Sequence, residues 1–181
     1  MSINPIKAEK ILNFGDKDLK CRMSLDTIIR IEEALGYSIL KIGQKLTGAD
    51  LTMSEVIAIL TLAIRAGGND TKENDVKELV AKIGLIEAIK LCGELITVAL
   101  QTNEEPSEKK NNIVKDDDKL PYDRWLEVLT GMMHIPCNEV WDMSVYEITL
   151  AINGFKEYNG SKSGSMDKDE LDKLMEMYPD Y

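Results

Sequence analysis

The chain has 181 residues, 44% of them apolar and 30% charged, a composition ordinary for a folded globular protein. Its formal charge of −10 speaks against a nucleic-acid partner, which needs clustered Lys and Arg. The most apolar stretch, residues 85–100, is broken by Glu87, Lys90 and Glu94 and is shorter than the ~20 residues a bilayer crossing needs. The opening residues lack a secretory pattern, and the three scattered cysteines match no metal or redox spacing; a reducing cytoplasm is the expected location, with no membrane partner.

In chain order, residues 7–14 and 19–23 flank Gly15, Asp16, Lys17 and Asp18, a turn-forming cluster that predicts a β-hairpin. A helix capped by Ser24 and stopped by Gly36 follows, with Leu25, Ile28, Ile29 and Leu35 inward and Asp26, Arg30 and Glu33 on the solvent face. Residues 38–46 predict a shorter helix weakened by Gly43. Thr52, Met53, Ser54 and Glu55 form a capping box ahead of an apolar run that should end at Gly67-Gly68. The polar line of that helix (Ser54, the small Ala58, Thr61, Arg65) is narrow, so most of its circumference is apolar. Residues 75–83 and 85–101 predict two more helices, the second again with a narrow polar stripe of Glu87, Lys90, Glu94, Thr97 and Gln101.

Residues 103–119 break the pattern. Pro106, Ser107, paired lysines and three consecutive aspartates leave only Ile113 and Val114 apolar, the composition of a solvated, flexible linker. The expected organisation is a 1–102 module, a 103–119 linker and a small three-helix module over 120–181. Charge divides the same way: residues 1–102 hold 14 acidic and 13 basic side chains, residues 120–181 hold 12 and 5, and eight of the ten aromatics lie in the latter. There, Pro121 opens a helix with Trp125, Val128, Leu129 and Met132 inward. Ser144 and Glu147 cap a second, with a seam of Val145, Ile148, Ile152 and Phe155. A third starts near Asp167 and uses Leu171, Leu174, Met175 and Tyr178. The fold class is therefore mainly α, with one small N-terminal hairpin.

No constellation supports catalysis or a cofactor. His134 is the only histidine, and no nucleophile motif or phosphate-binding glycine loop is present. Residues 159–170 match the spacing of a calcium loop, with Asn159, Ser161, Ser163, Gly164 and Glu170 at the ligand and glycine positions. At the ligand positions only Asp167 and Glu170 are carboxylates, too little anionic oxygen for a hard cation, so a Gly/Ser connector before a capped helix is the simpler reading. A calcium-responsive adaptor stands as a lesser alternative. Wide apolar helical faces mean either burial on several sides or a partner-binding surface. The candidate partner-binding residues are Ile57, Leu60 and Ile64, then Ile89, Leu95 and Ile96, and in the second module Trp125, Met132, Trp141 and Met143.

The order of features over the first hundred residues resembles the gene-transfer-agent type of phage tail assembly chaperone. The likeness includes Asn4-Pro5, the hairpin, residues 31–36 (IEEALG), residues 63–68 (AIRAGG) and the last apolar helix. The second module is similar to the companion chaperone segment, on Pro136, Val140-Trp141, Met143-Ser144 with Glu147, and the ending around Asp169–Met175 and Tyr178-Pro179-Asp180. Val140, where the family commonly has an aromatic residue, and the Gly/Ser connector depart from that pattern. The resemblance implies a non-catalytic protein that binds the tape measure protein, keeps it soluble and recruits tail tube subunits in the host cytoplasm. Self-association accompanies that role, and the protein is expected to be missing from the finished particle. A structural tail or neck component is the alternative.

Overall fold

The hairpin forms where the sequence places it. In this computed structural model, which describes residues 4–48, 50–100 and 119–160, strand β1 (Glu9–Asn13) pairs antiparallel with β2 (Asp18–Arg22) in a register running from Glu9 opposite Arg22 to Asn13 opposite Asp18. Asn13 Oδ1 accepts from Gly15 N at 2.8 Å, and Gly15 takes the positive φ of 86° that the turn requires. One face of the ribbon carries Leu12, Leu19 and Cys21 inward, and Phe14 and Met23 close it at either end.

Five helices complete the first part of the chain: α1 (Leu25–Leu35), α2 (Ile39–Thr47), α3 (Met53–Ala66), α4 (Glu73–Ile83) and α5 (Leu85–Ala99). Ser24, Ser38 and Thr52 each accept a hydrogen bond from the third residue ahead, satisfying amides that would otherwise lie unpaired at the helix starts. Gly36 and Gly84 turn the chain with φ near 80° after α1 and α4. The helices pack around α3, which contacts β2, α1, α4 and α5. Its Val56, Ile59, Leu60, Ala63 and Ile64 are fully buried, and α5 brings Ala88, Cys92 and Leu95 to the same core. Burial pushes the Cys21 and Cys92 thiols up to about 12, so both remain protonated and serve as small apolar side chains.

The end of α3 is held against the hairpin at a single point. A β-carbon on Gly67 would lie 1.9 Å from the Lys20 carbonyl oxygen, and Asn69 Nδ2 donates to that same oxygen at 2.6 Å. Only glycine lets the two backbones approach this closely.

After residue 118 the chain resumes with α6 (Tyr122–Leu126), which passes without a break into a π-helical stretch, Glu127–Met132. Two further helices follow, α7 (Cys137–Asp142) and α8 (Val145–Tyr158). The sequence does not anticipate α7, a six-residue helix started by Pro136 without a side-chain cap. Nor does it anticipate the π turn, which corrects one inward assignment. An i→i+5 hydrogen bond puts an extra residue into the turn, so the buried face slides by one position. Met132 is consequently 47% exposed, and Met133 packs against the apolar cluster in its place. The predicted helix from Asp167 and most of the 103–119 segment lie outside the described residues.

The α7–α8 corner docks on the first part of the chain. Leu25 N donates to Met143 O at 2.8 Å, and Ser144 Oγ donates to Ile6 O. Arg22 pairs with the Asp142 carboxylate at 2.9 Å and donates to its carbonyl at 2.6 Å. Apolar packing follows the same path: Leu25 of α1 sits with Leu129, Val140 and Ile148, while Val145 joins the core built around α3.

Two stability series test this packing. Gly67→Ala is expected to cost about 2–3 kcal/mol, since backbone must move to admit the methyl group. Gly93→Ala, whose β-carbon meets nothing within 4 Å on α5, should stabilise by about 0.5 kcal/mol. Urea unfolding midpoints would read both. Met133→Ala should cost about 1–2 kcal/mol and Met132→Ala less than about 0.5 kcal/mol; the reverse order would mean that the α-helical phase continues through residue 132.

Candidate functional site

The outward side of α3 is not a plain solvent face. Ser54, Ala58, Thr61 and Arg65, the narrow polar line of the sequence, form the bed of a groove together with Met53, Ile57 and Leu62. Ala34 from α1 makes one wall, and Glu73 and Lys77 from α4 make the other. The groove encloses about 740 Å³ and its lining is mostly apolar. Met53 stands 44% exposed at its mouth. Because Ser54, Ala58 and Thr61 are small, an approaching helix could come close to the α3 backbone, as in helix-in-groove recognition.

Each end of the groove is fixed electrostatically. At the Thr52 end, Lys45 Nζ reaches Glu55 Oε1 at 2.6 Å and Tyr37 OH donates to the same oxygen. Glu55 Oε2 accepts from Thr52 N at 2.6 Å, closing the capping box. Partial burial by itself would raise the Glu55 pKa, but hydrogen bonds from Lys45, Tyr37 and Thr52 outweigh it and hold the carboxyl at about 2. At the opposite end Arg65 Nε donates to Thr71 O at 2.8 Å, and Lys77 pairs with Glu73 at 2.6 Å, holding that carboxyl below its ordinary range. Arg65, Lys77 and Glu73 together leave this end of the lining with one net positive charge.

The predicted partner-binding residues fall in separate places. Ile57 lines the groove, at 8% exposure. Leu60, Ile64, Leu95 and Ile96 lie in the core and present no surface to a partner, because α3 and α5 spend their wide apolar faces on each other and on the surrounding elements. Ile89 is half-buried against the same core. Trp125 is half-buried and meets the Tyr122 ring edge-on at 5.9 Å between centroids. Trp141 borders a second, more polar cavity of about 530 Å³ with Arg22, Asp26, Arg30 and Asn138. Met143 is half-buried at the α7–α8 corner, and Met132 stands exposed on the π turn. Ala34, Met53 and Leu62 carry no separate signal in the sequence; the small Ala58 within the polar line of α3 was the available clue.

Little in this arrangement points to chemistry. Among the described residues no group of three or more His, Cys, Asp or Glu could hold a metal. The calcium-like stretch runs outside the described residues from position 161 onward. His134 is exposed, with a left-handed φ of 57° where the chain leaves the π turn. No helix among the described residues is long and apolar enough to cross a membrane.

A family model described as phage tail tube protein, GTA-gp10, matches residues 7–102, more than half of the chain. The chain belongs to this family. The matched stretch runs from the hairpin through α5 and contains every residue of the groove, whereas α6, α7 and α8 lie beyond it. No curated protein and no solved structure matches the chain. The family places the chain in the context of phage tails, under the description of a tube protein.

Acid unfolding tests the Thr52 end of the groove. A carboxyl depressed from 4.5 to about 2 contributes its full stability above the unfolded value and loses it as the pH falls from about 4.5 towards 2. The urea midpoint should therefore drop between pH 5 and pH 3, and Glu55→Gln should lower it at pH 6 while flattening the acid decline.

Proposed function

We propose that this chain is a non-enzymatic structural component of a phage or phage-derived tail, which works by binding other tail proteins through the α3 groove. The observation that carries this reading is the family match over residues 7–102, which encloses the whole groove. An apolar channel walled by α1 and α4, with an exposed methionine at its mouth, suits a helical segment of a neighbouring tail protein.

A second reading is a tail assembly chaperone that binds the tape measure protein, keeps it soluble and recruits tube subunits in the host cytoplasm. It is favoured by the resemblance of the later segment, Pro136, Val140-Trp141 and Met143-Ser144 with Glu147, to companion chaperone segments. Most of these residues form the α7–α8 corner that docks on Arg22, Leu25 and Ile6, so the motif has an intramolecular role that both readings accommodate.

Mass spectrometry of purified particles separates the two readings. A structural component is present in fixed proportion to the tube subunits, whereas a chaperone is missing from particles and copurifies with the tape measure protein on co-expression. In either case Met53→Asp should leave the melting temperature within about 3 °C of wild type, given its exposure. The same variant should weaken partner capture by about tenfold or more. Unchanged capture would remove the groove from the binding surface.

A further inference from the structure

We propose that the α3 groove takes a helical segment of a neighbouring protein that is apolar along its seam and carries a carboxylate side chain at one tip, which sits against Arg65. The inference rests on the groove being the binding surface and names the chemistry of its occupant. Met53 and Arg65 lie near the two ends of the bed, 12 residues apart on one helix. That separation is about 18 Å along the axis, roughly three turns of an incoming helix.

The polar side chains of the lining are engaged within the chain, with one exception. Thr52 Oγ1 and Ser54 Oγ bond each other at 3.1 Å, and Thr52 Oγ1 also meets Glu55 Oε2 at 2.8 Å in the cap. Thr61 Oγ1 donates to Ile57 O at 2.7 Å. Lys77 and Glu73 pair at 2.6 Å, which leaves the Arg65 charge uncancelled. Arg65 is exposed, and its Nε is anchored on Thr71 O at 2.8 Å. Its Nη1 and Nη2 make no hydrogen bond or ion pair among the described residues. The anchored Nε restricts the guanidinium plane, so the free edge is a pre-organised fork for a carboxylate.

The opposite end offers no such charge. Glu55 accepts from Lys45, Tyr37 and Thr52, so it is matched before a partner arrives, and Met53 is the side chain left for contact. The groove is therefore polarised along its length, apolar at Met53 and cationic at Arg65. A cation brought to Arg65 would meet like charge. An apolar tip would strip water from the guanidinium donors and put nothing in its place. A carboxylate avoids both penalties. The chain's formal charge of −10 opposes an acidic partner at long range, but salt screens that field beyond about 8 Å. Acting inside this distance, Arg65 sets which end of the partner lies where, more than it draws the partner in.

Three stapled amphipathic helices of about 16 residues test the assignment by fluorescence anisotropy against the full-length chain. Each carries a leucine seam at helical spacing, with pairs of Glu, Gln or Lys at both tips so that the reading does not depend on helix direction. The Glu-tipped helix should bind about tenfold more tightly than the Lys-tipped one, with the Gln-tipped one between them. That order runs against the chain's overall charge, so nonspecific attraction does not mimic it. Arg65→Glu should invert the order. Lys77→Glu, which leaves the Arg65 bond to Thr71 in place, should abolish the preference. Met53→Asp should weaken all three probes. Equal binding of the three, still weakened by Met53→Asp, overturns the carboxylate while the groove stands as the binding surface. A Glu preference that survives Arg65→Glu also overturns it. Binding that Met53→Asp leaves unchanged, or no binding of any probe, removes the groove and the inference together.

Discussion

The close approach of α3 to the hairpin at Gly67 governs the arrangement of everything around it. With the Lys20 carbonyl 1.9 Å from where a β-carbon would stand, and with Asn69 donating to the same oxygen, the end of α3 has one permitted position. That position turns the inner face of the helix onto Leu12, Leu19 and Cys21 and leaves α5 to cover the side opposite the groove. A helix with so wide an apolar surface needs partners on several sides, and the ribbon, α1, α4 and α5 supply them.

The groove follows from this constraint. Because α1 and α4 flank α3 without closing over Ser54, Ala58 and Thr61, the line of small residues becomes the bed of a channel instead of a convex solvent face. Its Thr52 end is stiffened by Glu55, one carboxylate that serves the helix cap, Lys45 and Tyr37 together. Such a shared acceptor ties α3, α2 and the turn at Tyr37 together through one charge, and the hydrogen bonds it receives outweigh the desolvation that would raise its pKa.

The later segment is joined to this frame by backbone as well as side chains. Leu25 N and Ile6 O are termini of a helix and of a short turn, groups that need partners from elsewhere in the chain, and the α7–α8 corner provides them through Met143 O and Ser144 Oγ. The corner therefore completes the capping of the first part while burying Leu25 among Leu129, Val140 and Ile148. For a tail protein of this family, the contact means that the surface presented by residues beyond the matched stretch is set relative to the groove.

Local chemistry was legible in the residues themselves. Ser24, Thr52 and Ser144 cap their helices because a side-chain oxygen next to unpaired amides has a clear local use, and Gly36 and Gly67 mark where α1 and α3 end. The hairpin turn, the narrow polar stripes of α3 and α5 and the mainly α class follow from the same short-range rules. What those rules do not carry is which wide apolar face finds a partner within the chain. Leu60, Ile64, Leu95 and Ile96 have core as the simpler reading and binding surface as the alternative, and the packing of α3 on α5 decided for the core. The π turn that exchanges Met132 for Met133 and the groove over Ala58 are likewise tertiary outcomes. One depends on a hydrogen-bond register, the other on where neighbouring helices stop, and neither is encoded in any short run of residues.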